Sequence, residues 1–472
     1  MATPSLILGI DLGTTSVKAA LVEVAGGAEQ KPVVTASCTR GTQAEVASPA
    51  VGPQGREQDV QKVIQALNEC LSALPIQQLQ RVCCIGISGQ MHGVMFWKTN
   101  QGCEWKGSGA SCVFEPKEVS HLITWRDGRC SSSFLASLPP PQSHLSVATG
   151  FGCATIYWHL MNSPEFLKSY SAAGTIHDYV VAMLCGLKKP LMSDHNAASW
   201  GYFNTRSRTW NSEILSRSDF PVHLLPDLAA PGSVAGRTSR DWCGIPKGTE
   251  VGVALGDFQC SVYSSMTQRT DAVLNISTSA QLAAAMPSGF QPTQTPDPSA
   301  PIAYFPYFNG TYLSVAASLN GGNVLATFVS MLLQWMAELG LEVLESSVYS
   351  QMIQAALTQM DTTLTITPTL SGERHMPDQL ASATGIAASN LSLGHVTRAL
   401  CQGIIQNLQT MLPFQQLREW GVERVIGSGS ALSRNEVLRQ EVEKAFPVPV
   451  LFGQDVDAAL GAALVMLREK LN

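Results

Sequence analysis

Two short segments of this chain carry the residue types that phosphoryl chemistry requires. Between Leu6 and Val22 an apolar run enters Asp11-Leu12-Gly13-Thr14-Thr15, and a second apolar run leaves it. That pattern predicts a β-hairpin whose tip presents a carboxylate, a glycine and two hydroxyls. Gly13 lets the backbone turn tightly and approach a ligand. Exposed amides in such a turn form an anion-binding concavity, Thr14 and Thr15 add hydroxyl donors, and Asp11 can hold Mg²⁺ directly or through water. The second segment is Leu255-Gly256-Asp257-Phe258-Gln259. It places a carboxylate at the end of a strand, where it can accept the proton of a hydroxyl attacking an in-line γ-phosphate. Taken alone, the first segment also fits an ordinary hairpin turn, and Asp257 an aspartate in a strand-ending turn.

The elements that must position these residues repeat. Val273-Leu274-Asn275-Ile276-Ser277-Thr278-Ser279-Ala280-Gln281-Leu282 is a degenerate copy of the first hairpin, with Asn275 opposite Asp11, Ser277 opposite Gly13 and Thr278 opposite Thr14. Two similar hairpins, one in each half, suggest two related domains facing one nucleotide. Strand-like runs and amphipathic helices alternate, so the class is α/β. Val82–Ile87 reads as a buried strand ending in Ser88-Gly89-Gln90-Met91-His92-Gly93, and the first domain hands over to the second between Gly256 and Asp271. The Pro-, Ser-, Thr- and Gln-rich stretch 287–301 is expected to be a surface loop, with a strand resuming at Ile302. Val396, Leu400, Ile404, Leu408 and Leu412 mark one helix. Ser433-x-x-Glu436 reads as a capping box opening another helix toward Phe446. Ala458, Ala459, Gly461, Ala462 and Ala463 predict a last helix, 457–471, that packs closely on a sheet or a helix.

The paired tips resemble those of the sugar kinase, actin and heat-shock chaperone ATPase fold, and the chain from about Leu6 to Leu467 resembles the FGGY carbohydrate kinases. That resemblance implies two actin-like, ribonuclease H-like domains around a central nucleotide cleft, an N-terminal one over 1–262 and a C-terminal one over 263–472. It implies an ATP-dependent kinase that phosphorylates the terminal hydroxyl of a ketose, sedoheptulose foremost, feeding the pentose phosphate pathway. A xylulokinase-like preference for another ketose and a noncatalytic actin-like ATP-binding regulator are the alternatives. Asp257, in the family's Gly-Asp-x-Gln element, becomes the catalytic base and shares Mg²⁺ with Asp11. Gly13, Thr14, Thr15, Thr278, Gly321 and Gly322 become the phosphate contacts, and Gly429, Ser430 and Asn435 the adenosine contacts. In that last segment Ser428 interrupts the family's commoner run of three glycines.

Gly89-Gln90-Met91-His92-Gly93 resembles the family's sugar loop, with Gln90, Met91 and His92 as contacts and His92 donating to a hydroxyl. Trp125-Arg126-Asp127-Gly128-Arg129 resembles its Trp-x-Asp-x-Arg element, with Trp125 on the sugar's C–H face and Asp127 accepting hydroxyl bonds. A structural histidine and a buried tryptophan beside an Arg–Asp pair are the plainer readings of the same residues. Segments 193–199 and 372–375 match further signatures of the family and read as structural support. Closure of the two domains on the sugar is expected to exclude water.

Composition agrees with an enzyme of this kind. The 472 residues, 45% of them hydrophobic and 14% charged, suffice for two sizeable cores. A net charge of −6 with no basic run excludes a general nucleic-acid binder. No G-x-x-x-x-G-K-[ST] segment occurs, which argues against a P-loop kinase. Leu432 stands where a dinucleotide fingerprint beginning at Gly427-x-Gly429 needs Gly or Ala. The 12 cysteines show no C-x-x-C pairs, which implies reduced thiols, a cytosolic setting and no zinc site. No leader or 18-residue apolar stretch is apparent, so neither a signal peptide nor a membrane partner is expected. No particular oligomeric state is implied.

Overall fold

A computed structural model describes residues 6–23, 32–48, 51–370, 372–453 and 456–471. The first five residues, on which part of the reading of the N-terminus rests, lie outside that set. Two mixed sheets organise the chain. The first is built from β1 (Leu6–Leu12), β2 (Ser16–Glu23), β3 (Val33–Gly41), β4 (Val82–Gly89), β5 (Val234–Arg237), β6 (Glu250–Gly252) and β7 (Leu255–Gly256). The second contains β8 (Asp271–Ile276), β9 (Ala280–Ala285), β10 (Ile302–Pro306), β11 (Tyr312–Ser318), β12 (Arg424–Ser428) and β13 (Val450–Phe452). The strand orders are β5-β6-β4-β1-β2-β3 and β10-β11-β9-β8-β12-β13, with β7 also pairing β4.

Within them β3-β2-β1-β4-β6 repeats as β11-β9-β8-β12-β13, with the same parallel and antiparallel pairings. The hairpin copy detected in the sequence is therefore the visible part of a five-strand repeat. Asp11 pairs Ser88 and Lys18, just as Asn275 pairs Ser428 and Gln281. β1 and β8 are apolar almost throughout because both of their faces are covered. Stretch 287–301 contains no helix or strand, and β10 begins at Ile302, as expected.

Of the helices, α1 (Val60–Ser72) buries Val60, Val63, Ile64, Leu67 and Leu71 on the first sheet and is capped by Asp59. α2 (Asp194–Trp200), α3 (Asp257–Ser265), α4 (Gly322–Glu338), α5 (Leu393–Met411), α6 (Ser430–Arg434), α7 (Glu436–Ala445) and α8 (Ala458–Leu471) follow. The expected capping box at Ser433 is not formed. Asn435, extended at φ −127°, accepts from the Leu438 amide at 3.0 Å and caps α7, whereas the Ser433 hydroxyl donates back to the Ser430 carbonyl. Asparagine one residue before the helix supplies a carbonyl at cap distance, and Ser433 is already inside α6.

The two halves interlock through α3 and α8. Cys260 and Val262 of α3 join Val273, Ala283, Leu313 and Val315 of the second sheet in one apolar cluster. Ala463 and Met466 of α8 pack on Ile7, Val22 and Cys84 of the first sheet. The small residues of α8 make this possible. A Cβ added at Gly9 would lie 1.9 Å from the Ala459 carbonyl oxygen, one at Gly86 2.2 Å from that of Ala462, and one at Gly461 1.9 Å from that of Cys260. The expected domain boundary at 262/263 falls inside α3, and the last helix returns to the first sheet, so each half completes the core of the other.

Gly461→Ala tests this contact. In an uncrowded helix alanine is about 1 kcal/mol better than glycine. Here the added methyl must displace the α3 backbone, so we expect destabilisation of about 1–3 kcal/mol, read as a lower thermal midpoint.

Candidate active site

The register of the first sheet brings two distant carboxylates together. Asp11, next to last in β1, pairs with Ser88 of β4, and Leu255 of β7 pairs with the same Ser88. Asp257 follows as the first residue of α3. Val251 faces Ile85 but Leu255 faces Ser88, so the strand leading to Asp257 is broken by one extra residue. This bulge-like offset re-aims the chain into the turn that presents Asp257. The Ser88 hydroxyl donates to Asp11 Oδ1 at 3.2 Å, and the Phe258 amide to Asp257 Oδ1 at 2.7 Å.

Both carboxyls sit well above the usual carboxylate range. Burial pushes Asp257 up to about 8, with the charge of Asp11 adding and the Phe258 amide opposing. Burial also raises Asp11 to about 6, with Ser88 and Lys18 opposing and Asp457 adding. Lys18, the hairpin partner of Asp11, is ion-paired to Asp457, whose Oδ1 accepts from the Leu460 amide of α8. Two desolvated carboxyls side by side favour a shared proton until a cation replaces it. Such a pair suits a hard divalent cation that takes its remaining ligands from phosphate and water. Among the described residues no three His, Cys, Asp or Glu side chains converge on a metal by themselves.

The first hairpin tip is braced from the side. Trp125 Nε1 donates to Thr14 Oγ1 at 3.0 Å, Gln58 Nε2 donates to the Thr14 carbonyl at 2.6 Å, and Gln90 Nε2 donates to Gln58 Oε1 at 2.9 Å. Gln90 is buried, with Oε1 unpartnered. Gly13 and Thr14 are half-buried at the tip, and Thr15 is exposed. Trp125 is 45% exposed, so its ring face is open beside Thr14.

Asp127 behaves otherwise than expected. It is fully buried: Oδ1 accepts from Arg129 N at 3.0 Å and Nε at 2.7 Å, and Oδ2 from the Arg56 amide at 2.8 Å and Arg129 Nη2 at 3.0 Å. With its acceptors taken, Asp127 fixes the loop that carries Trp125 and offers nothing to a sugar hydroxyl.

His92 stands at φ +72°, stacked on Phe151 with ring centroids 4.5 Å apart. Burial pushes its pKa down to about 4; the Ser199 hydrogen bond opposes and the charge of Arg374 adds. Nδ1 lies 2.9 Å from the Ser199 carbonyl. A carbonyl only accepts, so the neutral ring carries its proton on Nδ1, and Nε2 is an acceptor. His92 is thus suited to receive a hydroxyl proton bond, the reverse of the donor role expected from sequence. Met91 lies against the turn that carries Asp257, since a Cβ on Gly256 would be 2.8 Å from its sulfur. Helix α2 supports both places: Ser199 holds His92, Asn196 donates to the Ala254 carbonyl at 3.3 Å, and the Gly256 amide points to His195 Nδ1 at 3.5 Å. The structural reading of segment 193–199 agrees with this.

The second tip gathers its own set. The amides of Gly322 and Asn323 donate to the carbonyls of Ser277 and Thr278 at 2.7 and 3.1 Å, and the Ser430 amide to Ser277 Oγ at 3.3 Å. Thr278, Gly321, Gly322, Gly429 and Ser430 therefore surround one turn, with the Thr278 side chain exposed. Gly429 has φ +104°, and a Cβ there would lie 2.3 Å from the Ile276 carbonyl oxygen. Ser428 occupies an ordinary extended position in β12, equivalent to Ser88, which is why no glycine is required there. Asn435 does not join the group. It is completely buried, its Oδ1 caps α7, and its Nδ2 reaches Cys401 Sγ.

Gln58, Lys18, Ser88 and Asp457 are neighbours of the tips that sequence reasoning did not name. Lys18 was within reach, because a four-residue tip, 13–16, fixes its pairing with Asp11. Asp457 and Gln58 are joined to the tip only by tertiary packing.

The chain is similar to known proteins along its length. Residues 6–263 match the model of the N-terminal domain of the FGGY family of carbohydrate kinases. Sedoheptulokinase from Mus musculus is 73% identical over 472 residues, and that from Homo sapiens 74% identical over 474, each comparison covering 100% of this chain and 99% of that protein. Xylulose kinase from Rhodospirillum rubrum superposes with a TM-score of 0.79 at 19% identity, covering 98% of this chain and 90% of that one. Glycerol kinase from Plasmodium falciparum, solved with ADP, gives 0.76 at 17% identity over 99% and 90%. With a repeated sheet, paired hairpin tips and a family match over more than half its length, this chain belongs to the FGGY family of carbohydrate kinases.

Proposed function

We propose that this chain is an ATP-dependent sedoheptulose kinase that forms sedoheptulose 7-phosphate. The observation that carries the reaction is Asp257, a desolvated carboxyl beside Asp11 at the floor of the first phosphate tip. The choice of ketose rests on near-full-length identity to two proteins of that name. The Thr14 and Thr278 tips hold the β- and γ-phosphates of ATP, and the turns at Gly321-Gly322 and Gly429-Ser430 hold the rest of the nucleotide. Trp125 covers the C–H face of the sugar, His92 Nε2 accepts from a hydroxyl, and Met91 packs beside the reacting end. Asp257 accepts the proton of the terminal hydroxyl as its oxygen attacks the γ-phosphorus.

Asp11 and Asp257 are the residues suited to Mg²⁺, which when bound neutralises phosphate charge. The twelve free thiols and the lack, among the described residues, of any helix able to cross a membrane support a cytosolic enzyme of small molecules.

The first test is ADP release from Mg·ATP across sedoheptulose, xylulose, ribulose, fructose and glycerol. Strong turnover with sedoheptulose alone is expected. Preference for another ketose overturns the substrate, and no stimulation by any sugar overturns the kinase reading. Asp257→Asn should lower kcat by roughly 10³-fold while ATP still binds by calorimetry, in the range seen when a general base is removed.

A pH dependence follows from the same residue. An unfolded aspartate loses its proton near its ordinary value of 3.8, whereas the folded Asp257 holds it to about 8. Between those values the folded state binds more protons, so its contribution makes stability fall as pH rises. Without nucleotide or Mg²⁺, Asp257→Asn should therefore flatten the loss of thermal midpoint between pH 6 and 8, and an unchanged slope would contradict the assignment.

A further inference from the structure

Segment 372–375 contains a residue that the structural reading does not account for. Glu373 is the support. It is 1% exposed, and its carboxylate accepts from Ser318 Oγ at 2.5 Å, the Leu319 amide at 3.0 Å, Asn320 Nδ2 at 2.9 Å and Asn407 Nδ2 at 2.7 Å. Asn320 Nδ2 also donates to the Gly372 carbonyl at 2.9 Å. The turn is closed by reciprocal Glu373–Met376 backbone bonds of 3.1 and 3.0 Å, and Gly372 stands at φ +64°. Ser318, Leu319 and Asn320 lead directly into Gly321 and Gly322. The turn is thus fastened to the phosphate turn of the second domain.

Arg374, the next residue, is different. It is exposed, and among the described residues no carboxylate or other hydrogen-bond partner holds it. Other cations around the first tip are committed: Lys18 to Asp457, Arg126 to Glu45, and Arg129 to Asp127 and Glu57. The charge of Arg374 also bears on the His92 ring of the first domain. An unpaired guanidinium on a rigid turn, between a phosphate turn and a sugar loop, is suited to an anion with several oxygens.

The geometry points to Arg374 as a catalytic residue contributed by the second domain, its guanidinium holding the phosphoryl oxygens during transfer and the phosphate ester of the product afterwards. This rests on the kinase reading above. The bond from the ketose oxygen to the γ-phosphorus forms as the bond from that phosphorus to the bridging oxygen of ADP breaks, and the hydroxyl proton goes to Asp257. Arg374 adds no reactant; it offsets the charge on the equatorial oxygens.

The experiment compares wild type, Arg374→Ala and Arg374→Lys on the ketose that the wild type turns over best. For Arg374→Ala we expect kcat to fall roughly 10²- to 10³-fold, with the affinity for a nonhydrolysable ATP analogue within about 3-fold and the thermal midpoint unchanged. Calorimetry should show at least about a 10-fold loss of affinity for the ketose phosphate and less than about 3-fold for the free ketose. Arg374→Lys, which keeps the charge but not the fork, should fall between. A kcat within about 3-fold of wild type, or a loss accompanied by a lower thermal midpoint, overturns the role of Arg374. Wild-type preference for a ketose other than sedoheptulose moves the substrate and leaves this role standing. Absence of turnover by the wild type on every ketose overturns both.

Discussion

The site depends on keeping two carboxyls, Asp11 and Asp257, adjacent and largely out of water. Either one alone at a strand end would ionise at modest cost, but together each makes the other harder to ionise. That arrangement is unfavourable for two ionised carboxylates, and it would suit a divalent cation held between them. Without one, burial and the charge of Asp11 together hold the proton on Asp257 up to about 8. The second hairpin cannot do this. Asn275 stands where Asp11 does and Gln281 where Lys18 does, so the repeated tip keeps its hydroxyls and amides but carries no charge. The repeat is symmetric in backbone and asymmetric in electrostatics, since only the first tip carries a carboxylate.

Maintaining the pair requires the two halves to be coupled. Asp257 begins α3, whose far side packs with the second sheet, and α8 returns to the first sheet at Gly9 and Gly86. At these contacts backbone lies on backbone, so there is little flexible side chain to absorb a shift. A rotation of one domain must therefore move the α3–α8 contact as a unit. Lys18–Asp457 adds a charged link between the first tip and the start of α8. The turn that carries Asp257 is therefore part of the joint between the two halves.

Much of the fold was legible because its signals are local. The hairpin tips are consecutive in sequence, the small residues of α8 have one use, and the loop 287–301 has the composition of a loop. Asp11, Thr14, Trp125, Met91 and Asp257 gather on the first side and Thr278, Gly321, Gly322, Gly429 and Ser430 on the second, as their types suggested. What failed has a common cause. Asp127, Asn435 and the donor role of His92 all depended on which neighbour occupies which lone pair, and nearness in sequence does not state that: Leu438 is three residues from Asn435. Arg129 is two residues from Asp127, but the Arg56 amide is not, and Ser199 is remote from His92. A residue type states what hydrogen bonds are available; only packing states which remain open.

Arg374 shows the converse. In the sequence it is one letter in a segment whose neighbour, Glu373, is plainly structural, and the pair invites reading as an ion pair. The structure separates them: Glu373 is satisfied by neutral donors, and the guanidinium is left over. Four neutral donors satisfy the buried Glu373 carboxylate without a cation. The arrangement makes sense if the arginine is needed elsewhere. Its turn is anchored to Ser318, Leu319 and Asn320, directly before Gly321.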